Sequence, residues 1–352
     1  MLSIKIRSKK IGSNAPVFVV AEAGCNYEGD FKKAKEMVVA AAAAGADAIK
    51  FQTFIPEKLV TKTAPKFWDI PGCPGKTQYE EFKETPQLSF KEYRELKRIA
   101  EKHGIILFST PSDEESADML DKLGVPIYKI ASMDITHVPL LKHVAKKRKP
   151  IIISTGASTI DEIKEAVKVI ESAGNRKIIL LHCITNYPTK VNDVNLNMMK
   201  HLMEVFPDYP VGYSDHTEMP KSKDIIIAAV AMGAKVIEKH FTFDKNRPGY
   251  DHKISADYED LKEIIKSIRM VEIALGNEIK KPVASEEKAR ILARRSLVAA
   301  KDIPQGTTIT REMIAVKRPG TGIEPKFLNT VIGKKAKKNI KEDEVITWEM
   351  IK

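Results

Sequence analysis

Nowhere in the 352 residues does an apolar run approach the roughly 18 residues that a membrane-crossing helix needs. The opening "MLSIKIRSKKIGS" also lacks the apolar core of a secretory signal, so a cytoplasmic protein is expected. Cysteine is scarce: Cys25, Cys73 and Cys183 stand far apart, with none of the paired spacings of zinc ribbons or dithiol redox motifs. They read as reduced thiols. No low-complexity segment stands out, and there is no concentrated basic patch. The formal net charge is +11, yet the lysines are spread along the chain rather than gathered beside aromatics, which argues against nucleic acid as a partner. Runs such as "GKKAKKNIKEDE" read as solvated surface, while the overall balance suits small anionic substrates drawn to a basic cleft.

What the chain does have is a core and a rhythm. Hydrophobic residues make up 43% and charged residues 30%, the balance of a globular protein with a sizeable interior. Short apolar segments, each followed by an amphipathic one, recur every 25 to 35 residues or so. The expected strands are 17–22, 46–52, 105–110, 127–132, 151–155, 178–183, 211–214 and 235–240. Helical patterns such as "SFKEYRELKRIAEKHG" and "TIDEIKEAVKVIESAG" lie between them, several ending at glycine. Alternation of this kind implies parallel strands with crossover helices, and eight repeats close a (β/α)8 barrel of about 250 residues. The expected organisation is a barrel catalytic domain over 1–276, a polar linker over 277–293 and a small β-rich domain over 294–352. A proline- and glycine-rich insertion, 56–85, follows the second strand and reads as a lid or substrate loop.

Barrel enzymes draw their catalytic groups from the carboxyl ends of the strands, where the open loops gather. Here those ends carry Glu22, Lys50 with Gln52, Ser109 with Thr110, Lys129 with Ser132 and Asp134, and Ser154 with Thr155. Asn186 with Tyr187, Ser214 with His216, and Lys239 with His240 complete the series. An inventory of lysines, hydroxyls and an amide suits a phosphate and a carboxylate bound together, because charge-assisted hydrogen bonds to anions are the strong ones. His216 and His240 end adjacent strands, close enough to share one ion. Two imidazoles with open positions suit a divalent metal in a Lewis-acid role, Mn²⁺ being expected and Mg²⁺ or Co²⁺ the alternatives. Glu22 has no charge partner nearby in sequence, so it has either a job in the barrel mouth or a salt bridge, for instance to Lys50.

Several of these segments together resemble one family. "AEAGCNYEGDFKKAKEMVVAAAAAGADAIKFQTF", "FSTPSDEESADML", "KIAS", "ISTGAST", "TNYPT", "GYSDHT", "EKHFT" and the closing "RRSLVAAKDI" with "KRPGTGI" resemble the N-acetylneuraminate (sialic acid) synthases. That family includes the legionaminic and pseudaminic acid synthases and spore-coat polysaccharide enzymes. The resemblance runs from about residue 17 to the C-terminus, where the chain looks like the family's antifreeze-like (SAF) domain. It implies condensation of phosphoenolpyruvate with an N-acyl hexosamine, giving a nine-carbon 2-keto acid and phosphate by C–O cleavage. It also implies residue roles. Lys50, Thr110, Lys129, Ser132, Ser154, Asn186 and Ser214 become phosphoenolpyruvate ligands, and His216 and His240 the metal pair. Gln52, Asp134, Tyr187 and Asp251 become sugar contacts, and Glu22 the acidic residue over the reacting carbons. Arg318 matches an arginine that the family's small domain inserts into the partner's active site, which implies a domain-swapped homodimer.

Two departures bear on the sugar. Position 134 is aspartate where bacterial members of the family more often carry glutamate, and the insertion around Cys73 does not match the family's asparagine-bearing loop. Which amino sugar is used therefore stays open. Two other readings of the residues also stand: an aldolase using Lys50, Lys129 or Lys239 as a Schiff-base nucleophile, and a non-catalytic carbohydrate-binding protein.

Overall fold

A computed structural model of the chain describes residues 1–68 and 72–352, so 69–71 of the insertion lie outside the described residues. The chain packs as two compact units, Met1–Gly276 and Asn277–Lys352. In the first, a small antiparallel hairpin, β1 (Ile4–Ile6) and β2 (Lys9–Ile11), precedes the repeat; the strand expectations, which begin at residue 17, do not include it. Then come β3 (Phe18–Gly24), α1 (Phe31–Ala43), β4 (Ala48–Thr53), the insertion with α2 (Pro56–Leu59) and α3 (Gln78–Glu84), and α4 (Phe90–Lys102). The alternation continues through β5 (Ile106–Pro111), α5 (Glu114–Leu123), β6 (Tyr128–Ile130), α6 (Val138–Lys146), β7 (Ile151–Ser154) and α7 (Ile160–Ser172). It closes with β8 (Ile178–His182), α8 (Asn197–Val205), β9 (Val211–Asp215), α9 (Lys221–Ala231), β10 (Val236–His240) and α10 (Tyr258–Leu275).

The eight strands from β3 to β10 pair in parallel in the order β5-β4-β3-β10-β9-β8-β7-β6, and β5 packs beside β6. This is the expected (β/α)8 barrel. Its strands read as unbroken apolar runs, "IIIS" and "IILLH" for example, because one face meets the barrel interior and the other the helix layer. Helix starts follow from local chemistry: Ser89 with Glu92, Thr159 with Glu162 and Asp257 with Asp260 form reciprocal capping boxes at α4, α7 and α10. Inside the barrel the fit is tight enough to exclude a methyl group. A Cβ on Gly212 would sit 2.3 Å from the Val236 carbonyl oxygen and 2.8 Å from Leu181.

The second unit begins at 277 and contains α11 (Glu287–Leu292), with the backbone N–H of Gly320 donating to the Ile291 carbonyl at 2.8 Å. Its β content is modest: β11 (Ser296–Ala299) pairs antiparallel with β12 (Ile314–Lys317), and isolated bridges and the short helix α12 (Leu328–Val331) supply the rest. Leu297, Ile303, Ile309, Ile314, Ile340 and Ile346 are part of its own small core. No helix of the described residues is long and apolar enough to cross a membrane.

Candidate active site

The carboxyl ends of the barrel strands surround a cavity of about 600 Å³. Because side chains alternate along a strand, every second residue points to one side, and those near the carboxyl ends that point inward reach this space. Glu22, Lys50 with Gln52, Thr110, Lys129, Ser154, Ser214 and His240 face it from the strands. Ser132, Asp134, Asn186, Tyr187, His216 and Asp251 join them from the loops just beyond. Arg318 lies in the second unit, exposed just after β12.

The same parity removes three of the expected strand-end groups. Ser109 is hydrogen-bonded at 2.7 Å to Thr53 and at 3.2 Å to Tyr93 of α4, away from the cavity. Thr155 donates to the Leu181 carbonyl. Lys239 is fully buried and donates to Asp215 and to the Thr217 carbonyl, both at 2.7 Å, while Asp215 also accepts from Ser222 of α9. It is an interstrand tie behind the wall, and as a Schiff-base nucleophile it has no access to the cavity.

At the cavity floor stand two carboxylates and two lysines. Lys50 Nζ lies 2.7 Å from Glu22 Oε2, 3.6 Å from Glu238 Oε2 and 3.2 Å from Thr110 Oγ1. Lys129 Nζ donates to Glu238 Oε1 at 3.3 Å, and Ser214 Oγ donates to the same oxygen at 3.0 Å. Gln52 Nε2 donates to Glu22 Oε1 at 3.1 Å. So Glu22 does have the Lys50 salt bridge, and it also lines the cavity. Burial pushes the Glu22 carboxyl up, with the Glu238 charge adding to the shift and Lys50 opposing it. Burial pushes Glu238 the same way, but Lys129 and Lys50 together prevail and hold it below the ordinary range. Two carboxyls driven apart in this way are the pattern of a proton carrier beside a permanent anion. Lys50 is pushed down by burial and carried above its usual value by the two carboxylates, whereas Lys129 is lowered.

Glu238 is absent from the sequence-derived set. The signal that could have found it is its spacing of two from His240 in "VIEKH", which puts both on one face of β10. Asn26 was missed as well, and nothing local in the sequence marks it. Fully buried, it donates to the Phe241 carbonyl and to Ser255 Oγ at 3.0 Å each and accepts from the Asp251 N–H at 3.1 Å. It thereby clasps the loop after β3 to the loop after β10 and fixes where Asp251 stands.

The imidazoles of His216 and His240 meet at the rim with centroids 5.3 Å apart. Tyr187 stacks on His216 at 4.3 Å and meets His240 edge-on at 6.0 Å. His216 Nδ1 lies 2.6 Å from the Ile184 carbonyl, which can only accept, so Nδ1 carries the proton and Nε2 keeps its lone pair. Burial, reinforced by the neighbouring His240, lowers His216 to about 4, leaving a neutral ring at physiological pH. His240 Nδ1 lies 3.2 Å from Asp251 Oδ2 at ion-pair distance but without hydrogen-bond alignment, and it has no hydrogen-bond partner among the described residues. Two imidazoles with a carboxylate beside one of them are a donor set that fits a divalent cation. Among the described residues no three histidine, cysteine or carboxylate side chains converge on one point, so His216 and His240 are the residues that could hold such an ion.

The NeuB family matches residues 37–280, and the SAF domain matches 294–352. Over 99% of its length the chain is 47% identical to the uncharacterized protein MJ1065 of Methanocaldococcus jannaschii, 98% of which is covered. It is 43% identical to the N,N'-diacetyllegionaminic acid synthase of Legionella pneumophila, over 97% of each chain. Among solved structures it is similar to the N-acetylneuraminic acid (sialic acid) synthetase of Leptospira borgpetersenii in complex with citrate. There the identity is 35% and the TM-score 0.74, covering 82% of this chain and 95% of that one.

Proposed function

The chain belongs to the NeuB family, and from that premise we propose that it condenses phosphoenolpyruvate with an N-acyl hexosamine to a nonulosonic acid, releasing phosphate. The observation that carries this reading is the meeting, in one cavity, of two buried lysines among hydroxyls and a pair of imidazoles 5.3 Å apart.

In this reading Lys50 and Lys129 bind the anionic ends of phosphoenolpyruvate, with Thr110, Ser132, Ser154, Asn186 and Ser214 adding hydrogen bonds. Glu238 keeps both ammonium groups compensated before the substrate arrives, since two unpaired cations in a barrel interior would be costly. Gln52, Asp134, Tyr187 and Asp251 orient the sugar. Carbon 3 of phosphoenolpyruvate bonds to the aldehyde carbon, water adds at carbon 2, and the carbon–oxygen bond to phosphate breaks. The water gives up both protons: one passes to the former aldehyde oxygen, with Glu22, whose environment favours the protonated form, assigned to carry it, and the other leaves with the phosphate as carbon 2 becomes a ketone. A divalent ion held by His216 and His240, Mn²⁺ being expected, would supply Lewis-acid polarisation of the aldehyde oxygen. Three free thiols and these substrates are in keeping with a cytoplasmic enzyme.

The test is phosphate release from phosphoenolpyruvate with N-acetylmannosamine, a 2,4-diacetamido-mannose and a 2,4-diacetamido-altrose. Release with at least one sugar, abolished by chelator and restored by Mn²⁺, is the expected outcome; no release with any of them overturns the reading. The lowered Lys129 is the one observation favouring an amine nucleophile. Borohydride with pyruvate would trap a covalent adduct there if the enzyme were a Schiff-base aldolase, and no adduct is expected.

A further inference from the structure

Asn26 is fully buried and does not line the cavity, yet all three of its side-chain hydrogen bonds end on the loop that carries Asp251. That loop leaves β10 at Phe241 and returns at Ala256, where the Ala256 N–H donates to the His240 carbonyl at 2.7 Å and the Thr242 N–H donates to the Ala256 carbonyl at 3.0 Å. In between, the chain must bring Asp251 back beside a histidine eleven residues earlier. Backbone freedom over such a stretch is large, and something has to select one conformation. Other ties of the loop, such as Arg247 to Glu28 and Lys253 to Glu218, are ion pairs with exposed cations, which fix geometry weakly.

Asn26 makes the selection from the interior. Both amide hydrogens are used, one on the Phe241 carbonyl and one on Ser255 Oγ, while Oδ1 accepts the Asp251 N–H. Ser255 Oγ in turn donates to the Asp251 carbonyl at 2.7 Å, so Asp251 is gripped at its N–H and at its carbonyl. Phe241 directly follows His240. One planar side chain therefore holds both the peptide beside the imidazole and the residue whose Oδ2 stands 3.2 Å from His240 Nδ1. At full burial a broken bond leaves two groups unpaired, so the three contacts act as a set. A carboxylate beside a metal-binding imidazole fixes the orientation of the ring and raises its basicity.

We propose, on the footing of the metal-assisted reading above, that Asn26 is a positioning residue for the histidine pair: by holding Asp251 against His240 it sets how firmly His240 can hold a divalent ion, without touching ion or substrate. Loss of a partner of this kind weakens metal binding about 10- to 100-fold.

The experiment titrates the full chain with Mn²⁺ alone and reads free Mn²⁺ by electron paramagnetic resonance, in the wild type, Asn26→Ala, Asp251→Ala and the double variant. Asn175→Ala is the control: Asn175 is also buried, donates to the Lys149 carbonyl at 2.8 Å and accepts from the Lys177 N–H at 3.0 Å, but it ties segments before β7 and β8, at the other end of the barrel. Asn26→Ala should bind Mn²⁺ about 10- to 100-fold more weakly, and the double variant no more weakly than the weaker single one. Asn175→Ala should lose melting temperature yet keep its Mn²⁺ affinity. At saturating Mn²⁺ the KM of Asn26→Ala for phosphoenolpyruvate should be unchanged. Should Asn26→Ala not fold, Ser255→Ala takes its place, with a smaller loss in the same direction. Unaltered Mn²⁺ affinity in the folded variant, losses that add in the double variant, or an equal loss in Asn175→Ala overturns the positioning role while leaving the metal reading intact. A wild-type protein that binds no Mn²⁺ overturns the metal reading and this role with it.

Discussion

Glu22 and Glu238 show how little a residue's type says about its state. They are the same side chain on neighbouring strands, yet one is lifted and the other lowered, because Glu238 faces both lysines and Glu22 only one. Asp134 is a third case. Burial, helped by the charge of Asp113 and opposed by Lys129, raises its carboxyl to about 7. A carboxyl whose folded pKa stands above its unfolded value holds its proton more tightly when folded, so the stability it allows is lost as pH climbs from about 4 to about 7. Asp134→Asn should therefore remove that decline, gaining about 1–3 kcal/mol at pH 8 and little at pH 4, while KM for the sugar rises. Melting curves at the two pH values check this; an equal gain at both would show that Asp134 is not held protonated.

Parity does the work at the scale of the element. β10 turns Glu238 and His240 into the cavity and Lys239 into the layer between barrel and helices, where it meets Asp215 of β9 in register. Removing one member of such a buried pair strands the other charge, at a cost of about 3–5 kcal/mol. Lys239→Met should thus lower the melting temperature markedly, and adding Asp215→Asn should restore part of the loss. In the folded fraction of either variant KM for phosphoenolpyruvate should hold. A folded Lys239→Met protein unable to bind phosphoenolpyruvate would instead return Lys239 to the chemistry.

For the whole molecule, a homodimer remains our proposal, and unpartnered apolar surface supports it. Met270, Ile273 and Leu275 near the end of α10 are exposed, Ile273 by 82%. A run of that kind needs a cover, and a second copy of the chain is the cover we expect. If Arg318 of one copy completes the partner's cavity, an Arg318→Ala protein and a His216→Ala protein, each inactive alone, should regain activity when unfolded together and refolded as a mixture. No recovery in mixed dimers, or an active monomer in sedimentation, would remove the exchanged arginine.

By itself the sequence determined the barrel, the insertion's place and the polar residues at the strand ends. Each is written in local signals: apolar runs, capping residues, a period of two or of 3.6. The two-histidine pairing was also legible, since "GYSDHT" and "EKHFT" stand at equivalent positions of consecutive repeats. Only the tertiary structure decided which strand-end groups look inward, because one residue of register moves a side chain from the cavity to the helix layer, as Lys239 and Glu238 show. It alone joined Asn26 to Asp251 and split the carboxyl pair. Those relations depend on distances between residues remote in the chain, and no local pattern encodes them.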